Sequence, residues 1–253
     1  MGKGVENMKK ITRILLALTV VSVVMVGCQK QDKKDTLVVG MELAYPPFET
    51  KDEKGNPTGI SADFMKDFGD YIGKDIQIEN ISWDGLIPSL QTGKVDMVMS
   101  SMTITDDRKQ TVDFSLPYAN AMLAVLSYKD SNIQSIDDLN KESMTLAVKT
   151  GSTGYLYAKE HLKNANIVAL PDESACVTEV SQGKADGFIY DQLTIYRNYM
   201  KNKEITKALF IPFQDADQWG IAVKKGNTEL KEQLDTFISQ YQKDGGFDKL
   251  SEK

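Results

Sequence analysis

A short segment occurs twice in this chain, ninety positions apart, and it limits the architectures open to it. Leu90, Gln91, Thr92, Gly93, Lys94, Val95 and Asp96 match Val180, Ser181, Gln182, Gly183, Lys184, Ala185 and Asp186, and both sets run on into apolar stretches, to Ser100 and Tyr190. Each copy reads as the end of a helix, a glycine stop, a Lys-x-Asp turn and a strand. The constant offset divides the chain into two similar α/β units.

The surrounding pattern agrees. Strand-like runs at Leu37–Gly40, Ile76–Ile81 and Val95–Ser100 alternate with helices at Ser61–Ile72 and Asp84–Gln91; Phe64, Met65, Phe68, Tyr71 and Ile72 share one face of the first helix, and Gly73 stops it. A second series sets strands at Met122–Tyr128, Thr145–Lys149, Asn166–Leu170 and Gly187–Tyr190 between helices at Tyr155–Leu162, Glu173–Gln182 and Gln192–Met200. A last helix, Glu229–Tyr241, carries Leu230, Leu234, Phe237, Ile238 and Tyr241 as one stripe. Such alternation predicts an α/β fold. Ligands of open α/β sheets bind beyond the carboxyl ends of the strands. Ser101–Arg108 and Asp191 follow the two repeated strands and are expected to face each other across a cleft.

Composition removes several functions. A net charge of -6 offers no basic footprint for nucleic acid, and a single histidine disfavours His-rich metal sites and histidine acid/base chemistry. No cofactor and no metal are expected. The eleven methionines lack the clustered spacing of a copper site and read as core filler.

The first residues read as an address. Lys9, Lys10 and Arg13 precede an apolar run from Ile14 to Val26, which is too short to cross a bilayer at 1.5 Å per residue. The predicted boundaries are a signal peptide over 1–27, a polar tether over 28–35, one lobe from 36–121 with 218–253, and a second lobe over 122–217. Translation from Met8 would give an equally conventional signal. Met25-Val26-Gly27-Cys28 resembles a bacterial lipobox, which implies cleavage before Cys28 and its acylation, anchoring the protein to the outer face of a membrane or in the periplasm. Removing four cations and Glu6 takes the net charge from -6 to -9 over 226 residues. Cys176 then has no partner, and at helical spacing from Val180 it reads as a small buried hydrophobe.

Five further segments carry a family resemblance: Glu42–Glu49 with Tyr45, Pro46, Pro47 and Phe48; Trp83–Leu90; Ser101–Arg108; Asp113–Tyr118; and Gly151–Gly154. In this order they resemble the polar amino-acid substrate-binding proteins that feed ABC importers, over essentially all of the chain from Thr36 to Leu250. The resemblance implies two lobes, each a mixed sheet flanked by helices, joined by two crossover strands near Ala121–Tyr128 and Gln214–Ile221. It also implies a monomeric, non-enzymatic receptor that delivers a free amino acid to an ABC permease.

On this resemblance, Arg108 forks onto the ligand carboxylate with Thr103 adding donors, and Thr153 opens a helix whose free N–H groups attract anions. Asp191 holds the ammonium with Ser101, or caps a helix, or does both. Tyr45 and Trp83 wall the side-chain pocket, while Phe48 belongs to the core. Glu42 either meets a basic ligand side chain or is paired within the protein. Arginine, lysine or histidine is favoured as ligand, with glutamine or cystine as alternatives. Gly151–Gly154 lacks the Lys and length of a phosphate-binding loop, and His161 reads as exposed. Two other functions use the same fold: a cyclohexadienyl-dehydratase-like enzyme, for which Glu42 is the candidate acid, and a ligand-sensing lipoprotein.

Overall fold

The computed structural model describes residues 35–210 and 215–252. The expected signal peptide, Cys28 and most of the tether lie outside the described residues. From Thr36 onward the chain forms one compact unit.

Two five-stranded sheets dominate it. The first uses β1 (Thr36–Met41), β4 (Asp75–Asn80), β5 (Met97–Val98), β6 (Val112–Phe114) and β14 (Ala222–Lys224) in the order β4-β1-β5-β14-β6. The second uses β8 (Leu123–Tyr128), β9 (Thr145–Lys149), β10 (Asn166–Leu170), β11 (Gly187–Asp191) and β12 (Thr206–Leu209) in the order β10-β9-β11-β8-β12. In the first sheet β1 is parallel to β4 and β5, and β14 is antiparallel to β5 and β6. In the second, β9 is parallel to β10 and β11, and β8 is antiparallel to β11 and β12. The two sheets are therefore the same design, strand for strand.

The repeated segment explains part of this identity. It joins α2 (Trp83–Gln91) to β5 and α5 (Glu173–Ser181) to β11. Gly93 and Gly183 leave their helices at φ of 75° and 67°, a left-handed conformation that glycine adopts without steric penalty. Three residues on, Asp96 Oδ2 accepts from the Val38 N–H and Asp186 Oδ2 from the Thr145 N–H, both at 2.7 Å. Asp96 thus ties the turn before β5 to β1, and Asp186 ties the turn before β11 to β9.

Helices cover both faces of both sheets. Phe64 and Phe68 of α1 (Ile60–Ile72) meet Phe237 of α7 (Thr228–Lys243), while Phe247 of α8 (Gly246–Ser251) stacks on Phe64 at 5.0 Å. Leu86 and Leu90 of α2 fill the opposite face with Val98 and Val112. Around the second sheet, Leu146, Val148 and Ile189 pack with Ala158 of α4 (Thr153–His161), and Ala147 and Phe188 pack with Cys176 and Val180 of α5. Each fully buried aliphatic or aromatic chain contributes about 1.5–3 kcal/mol. Cys176 is a buried thiol, pushed up to about 12 by burial, and His161 is half exposed.

Some elements differ from expectation. The run Val95–Ser100 is strand only over Met97–Val98, although the flanking Asp96 and Met99 N–H groups still donate to Val38 O and Gly40 O, and the Ser100 hydroxyl takes the Glu42 N–H at 2.9 Å. β6, β12 and β14 were not expected; strands of three or four residues carry no readable alternation and form through distant pairing. Between the sheets runs a two-stranded ribbon of β7 (Ala119–Ala121) and β13 (Asp217–Trp219), antiparallel, and β2 (Thr50–Lys51) pairs with β3 (Pro57–Thr58) in a separate antiparallel hairpin. The expected second crossover begins at Gln214, which is outside the described residues.

Candidate functional site

The carboxyl ends of the parallel strands open onto one cavity of about 190 Å³. Drug-sized sites enclose roughly 300–1,000 Å³, so this one suits a small metabolite. Glu42 follows β1, Ser101 and Thr103 follow β5, Lys149 ends β9, Glu173 follows β10 and Asp191 ends β11. All eight expected ligand residues, namely Glu42, Tyr45, Trp83, Ser101, Thr103, Arg108, Thr153 and Asp191, line this cavity.

Arg108 lies on the short helix α3 (Asp106–Lys109), whose N-cap Thr105 accepts from the Arg108 N–H. Its guanidinium donates from Nη1 to Thr103 O at 2.6 Å and from Nη2 to Gly151 O at 3.0 Å, linking residues of the two units. Burial pulls its pKa down to about 10, opposed by the negative charge of Asp217. It stays protonated at neutral pH. Thr103 Oγ1 meets Asp217 Oδ2 at 3.3 Å.

Asp191 accepts from the Tyr45 hydroxyl at 2.6 Å and from the Thr194 N–H at 2.9 Å, so it caps α6 (Gln192–Asn202) while facing the cavity. Burial raises its pKa, and the Tyr45 and Thr194 hydrogen bonds oppose that rise. Tyr45 stacks on Phe48 at 5.7 Å and meets Trp219 edge-on at 5.8 Å. Phe48 packs against the first unit's core, as expected. On the outer side of Tyr45, the Arg197 guanidinium reaches Pro46 O and Glu173.

Two findings change the expected side-chain pocket. Glu42 is paired within the protein: its Oε2 holds the Lys149 ammonium, and Oε1 lies 3.3 Å from the Trp83 N–H. The Trp83 ring carries protein cations, with Arg108 and Lys149 each 5.3 Å from its centroid. Lys149 is only 3% exposed. The sequence reading passed over it, although it ends a predicted strand, which is the position where such sheets place ligand residues. Glu173 follows a predicted strand in the same way.

Thr153 is the first residue of α4, and Ser152 caps the helix by accepting from the Tyr155 N–H. The helix start sits directly on β11: a Cβ on Gly154 would lie 2.2 Å from Ile189 O. Ser101 has φ of 48°, uncommon for a residue with a side chain, and its hydroxyl is buried. Among the described residues, no group of three or more His, Cys, Asp or Glu is placed to hold a metal ion.

A family model for bacterial extracellular solute-binding proteins, family 3, matches residues 37–253. The chain is 32% identical to a probable histidine-binding protein of Neisseria gonorrhoeae, over 98% of this chain and 96% of that one. It is 30% identical to the ABC transporter glutamine-binding protein GlnH of Bacillus subtilis, over 97% of both. Among solved structures it is similar to the ancestral amino acid-binding protein AncCDT-1, a precursor of cyclohexadienyl dehydratase, with 38% identity and a TM-score of 0.78 over 86% of this chain and 93% of that one. The sheets, the ribbon between them and the cavity at their strand ends accord with these matches, and the chain belongs to the bacterial extracellular solute-binding proteins, family 3.

Proposed function

We propose that this protein is a non-enzymatic receptor that holds a free polar amino acid in the cavity and delivers it to an ABC importer. One observation carries the reading: a buried guanidinium, Arg108, and a partly buried carboxylate, Asp191, line the same small cavity from opposite units. That is the complement of a zwitterion. Arg108 takes the ligand carboxylate through parallel charge-assisted hydrogen bonds, aided by Thr103 and the N–H groups at Thr153. Asp191 and Ser101 take the ammonium, and Tyr45 and Trp83 wall the side chain.

The Glu42–Lys149 pair bears on which amino acid. A cationic side chain at Glu42 meets the Lys149 ammonium as well, and like charges in a buried site repel. A side chain with both donor and acceptor groups can bond to each partner. Glutamine therefore ranks above the arginine, lysine and histidine that Glu42, Tyr45 and Trp83 suggest, with cystine as a further polar candidate. The relatives include one named for glutamine and one for histidine. The expected affinity of about 0.1–10 μM corresponds to roughly -7 to -10 kcal/mol.

A dehydratase role is disfavoured, since Glu42 is held by Lys149 and the dehydratase-related neighbour is itself an amino acid-binding protein. Titration calorimetry with the twenty amino acids and cystine, on protein unfolded and refolded to remove carried ligand, tests the reading. Heat with glutamine supports it; no heat with any of them, or turnover of prephenate or arogenate, refutes it. The Cys28 anchor is part of the same proposal. It is tested by mass spectrometry of the mature N-terminus and by release of a Cys28→Ser variant from membranes.

A further inference from the structure

One acid in the cavity wall has no role in the reading above. Glu49 has no exposed surface and lines the cavity. The Ser61 hydroxyl donates to its Oε2 at 2.6 Å, while Oε1 has no hydrogen-bond partner. Neither do the Ser101 and Tyr118 hydroxyls, although Ser101 lies close enough to interact with both Glu49 and Tyr118. Among the described residues no Lys or Arg forms an ion pair with Glu49. Lys149 is held by Glu42, Arg197 by Glu173, and Arg108 by backbone carbonyls. The titratable groups that face Glu49 are the Glu42 and Asp191 carboxyls and the Tyr118 and Tyr190 phenols. A buried carboxylate among like charges and without a cation is strongly disfavoured, and such a group keeps its proton.

We propose that Glu49 is a proton-carrying member of the ligand site, which releases its proton when the ligand's α-ammonium docks beside Asp191 and Ser101. The proposal rests on the placement of the ammonium given above. In the step, the Glu49 O–H bond breaks, its electron pair stays on the carboxylate, and the proton passes to solvent. The docked ammonium supplies the cation that the protein's own groups withhold. Burial foremost, with Glu42 and Asp191 adding to it and the neighbouring Ser61 and Ser101 hydroxyls opposing it, pushes the Glu49 pKa up to about 8. Glu49 is thus protonated at neutral pH before ligand arrives. Since the ligand prefers the ionised form, affinity rises with pH up to about 8, by at most tenfold per unit for one proton, and then levels off.

The test is titration calorimetry of the whole protein with L-glutamine and with L-arginine, each at pH 7 in phosphate and in Tris, which differ widely in ionisation enthalpy. The expected result is a binding enthalpy that differs between the buffers by the equivalent of close to one released proton. In Glu49→Gln, which keeps the shape but cannot ionise, binding is weaker and shows no such difference between the buffers. Equal enthalpies in both buffers, or an unchanged difference in Glu49→Gln, overturn the proposal and leave the amino-acid-binding reading standing. Failure of both ligands to bind overturns both. Should Glu49→Gln not fold, the wild-type Kd from pH 6 to 9 decides: a flat profile overturns the proposal, and a rise in affinity that levels near pH 8 supports it.

Discussion

The Tyr45 hydroxyl donates to Asp191 Oδ1 at 2.6 Å across 146 positions of sequence. The bond joins the loop after β1 of the first sheet to the end of β11 of the second. It also turns the Asp191 carboxylate, which caps α6 through its Thr194 contact, towards the cavity.

Tyr45→Phe removes that donor and leaves a partly buried carboxylate oxygen with one partner fewer. The expected loss is about 1–3 kcal/mol of unfolding free energy, read from urea denaturation, with at least a several-fold weakening of amino-acid binding. Unchanged affinity would show that Asp191 is oriented by its α6 contacts alone.

Arg108→Lys keeps the charge but cannot span Thr103 O and Gly151 O while presenting a planar fork to a carboxylate. Binding of every amino acid should weaken by about 2–5 kcal/mol, equivalent to thirtyfold or more. Calorimetry with two chemically different ligands checks this; a loss confined to one of them would place Arg108 at the side-chain end.

Lys149→Met removes the ammonium that neutralises Glu42 and leaves the Trp83 face open to a ligand cation. Arginine should gain on glutamine by about tenfold or more in the ratio of their Kd values, a shift of about 1.4 kcal/mol. An unchanged ratio would mean that the Glu42–Lys149 pair lies away from the ligand side chain.

Ligand-free protein should lose stability as the solution is made more alkaline between pH 5 and 8. Glu49 titrates at about 8 in the folded chain against an ordinary 4.5, so the folded state binds more protons than the unfolded state between those values. The slope from this residue is at most about -1.4 kcal/mol per pH unit. Asp191 and Glu173, whose pKa values burial also raises, act in the same direction. Urea midpoints measured across this range should fall less steeply in Glu49→Gln than in the wild type.

Gly154→Ala would drive a methyl group into Ile189 O, which is backbone and cannot swing aside. The expected outcome is a loss of more than about 3 kcal/mol, or α4 displaced from β11 with its N–H groups withdrawn from the cavity. Circular dichroism melts together with ligand titration separate the two.

Much of this was legible in the residues because it is written locally. The twin Gly-Lys-x-Asp turns, the amphipathic helices and the segments Glu42–Glu49 and Ser101–Arg108 are each contiguous, and all eight expected ligand residues line the cavity. Pairing across the sequence was not legible. Nothing local indicates that Glu42 is matched by Lys149, 107 positions away, or that Glu49 is sealed in by Ser61 and Tyr118. Strand ends in this fold converge on the cavity, so weighing the last residue of every predicted strand, rather than those of the repeated pair alone, singles out Lys149. The short strands β6 and β14 escaped for a related reason, since each exists only through its partner.

The place of β14 between β5 and β6 has a consequence for the order in which the chain matures. The second sheet is drawn from one contiguous stretch, 123–209, and its hydrogen-bonded ladder can close as soon as that stretch has been synthesised. The first sheet is begun earlier but finished later, because the facing edges of β5 and β6 wait for Ala222–Lys224 to arrive. A ribosome halted between these points would carry a finished second half joined to a first half with its centre still unfilled.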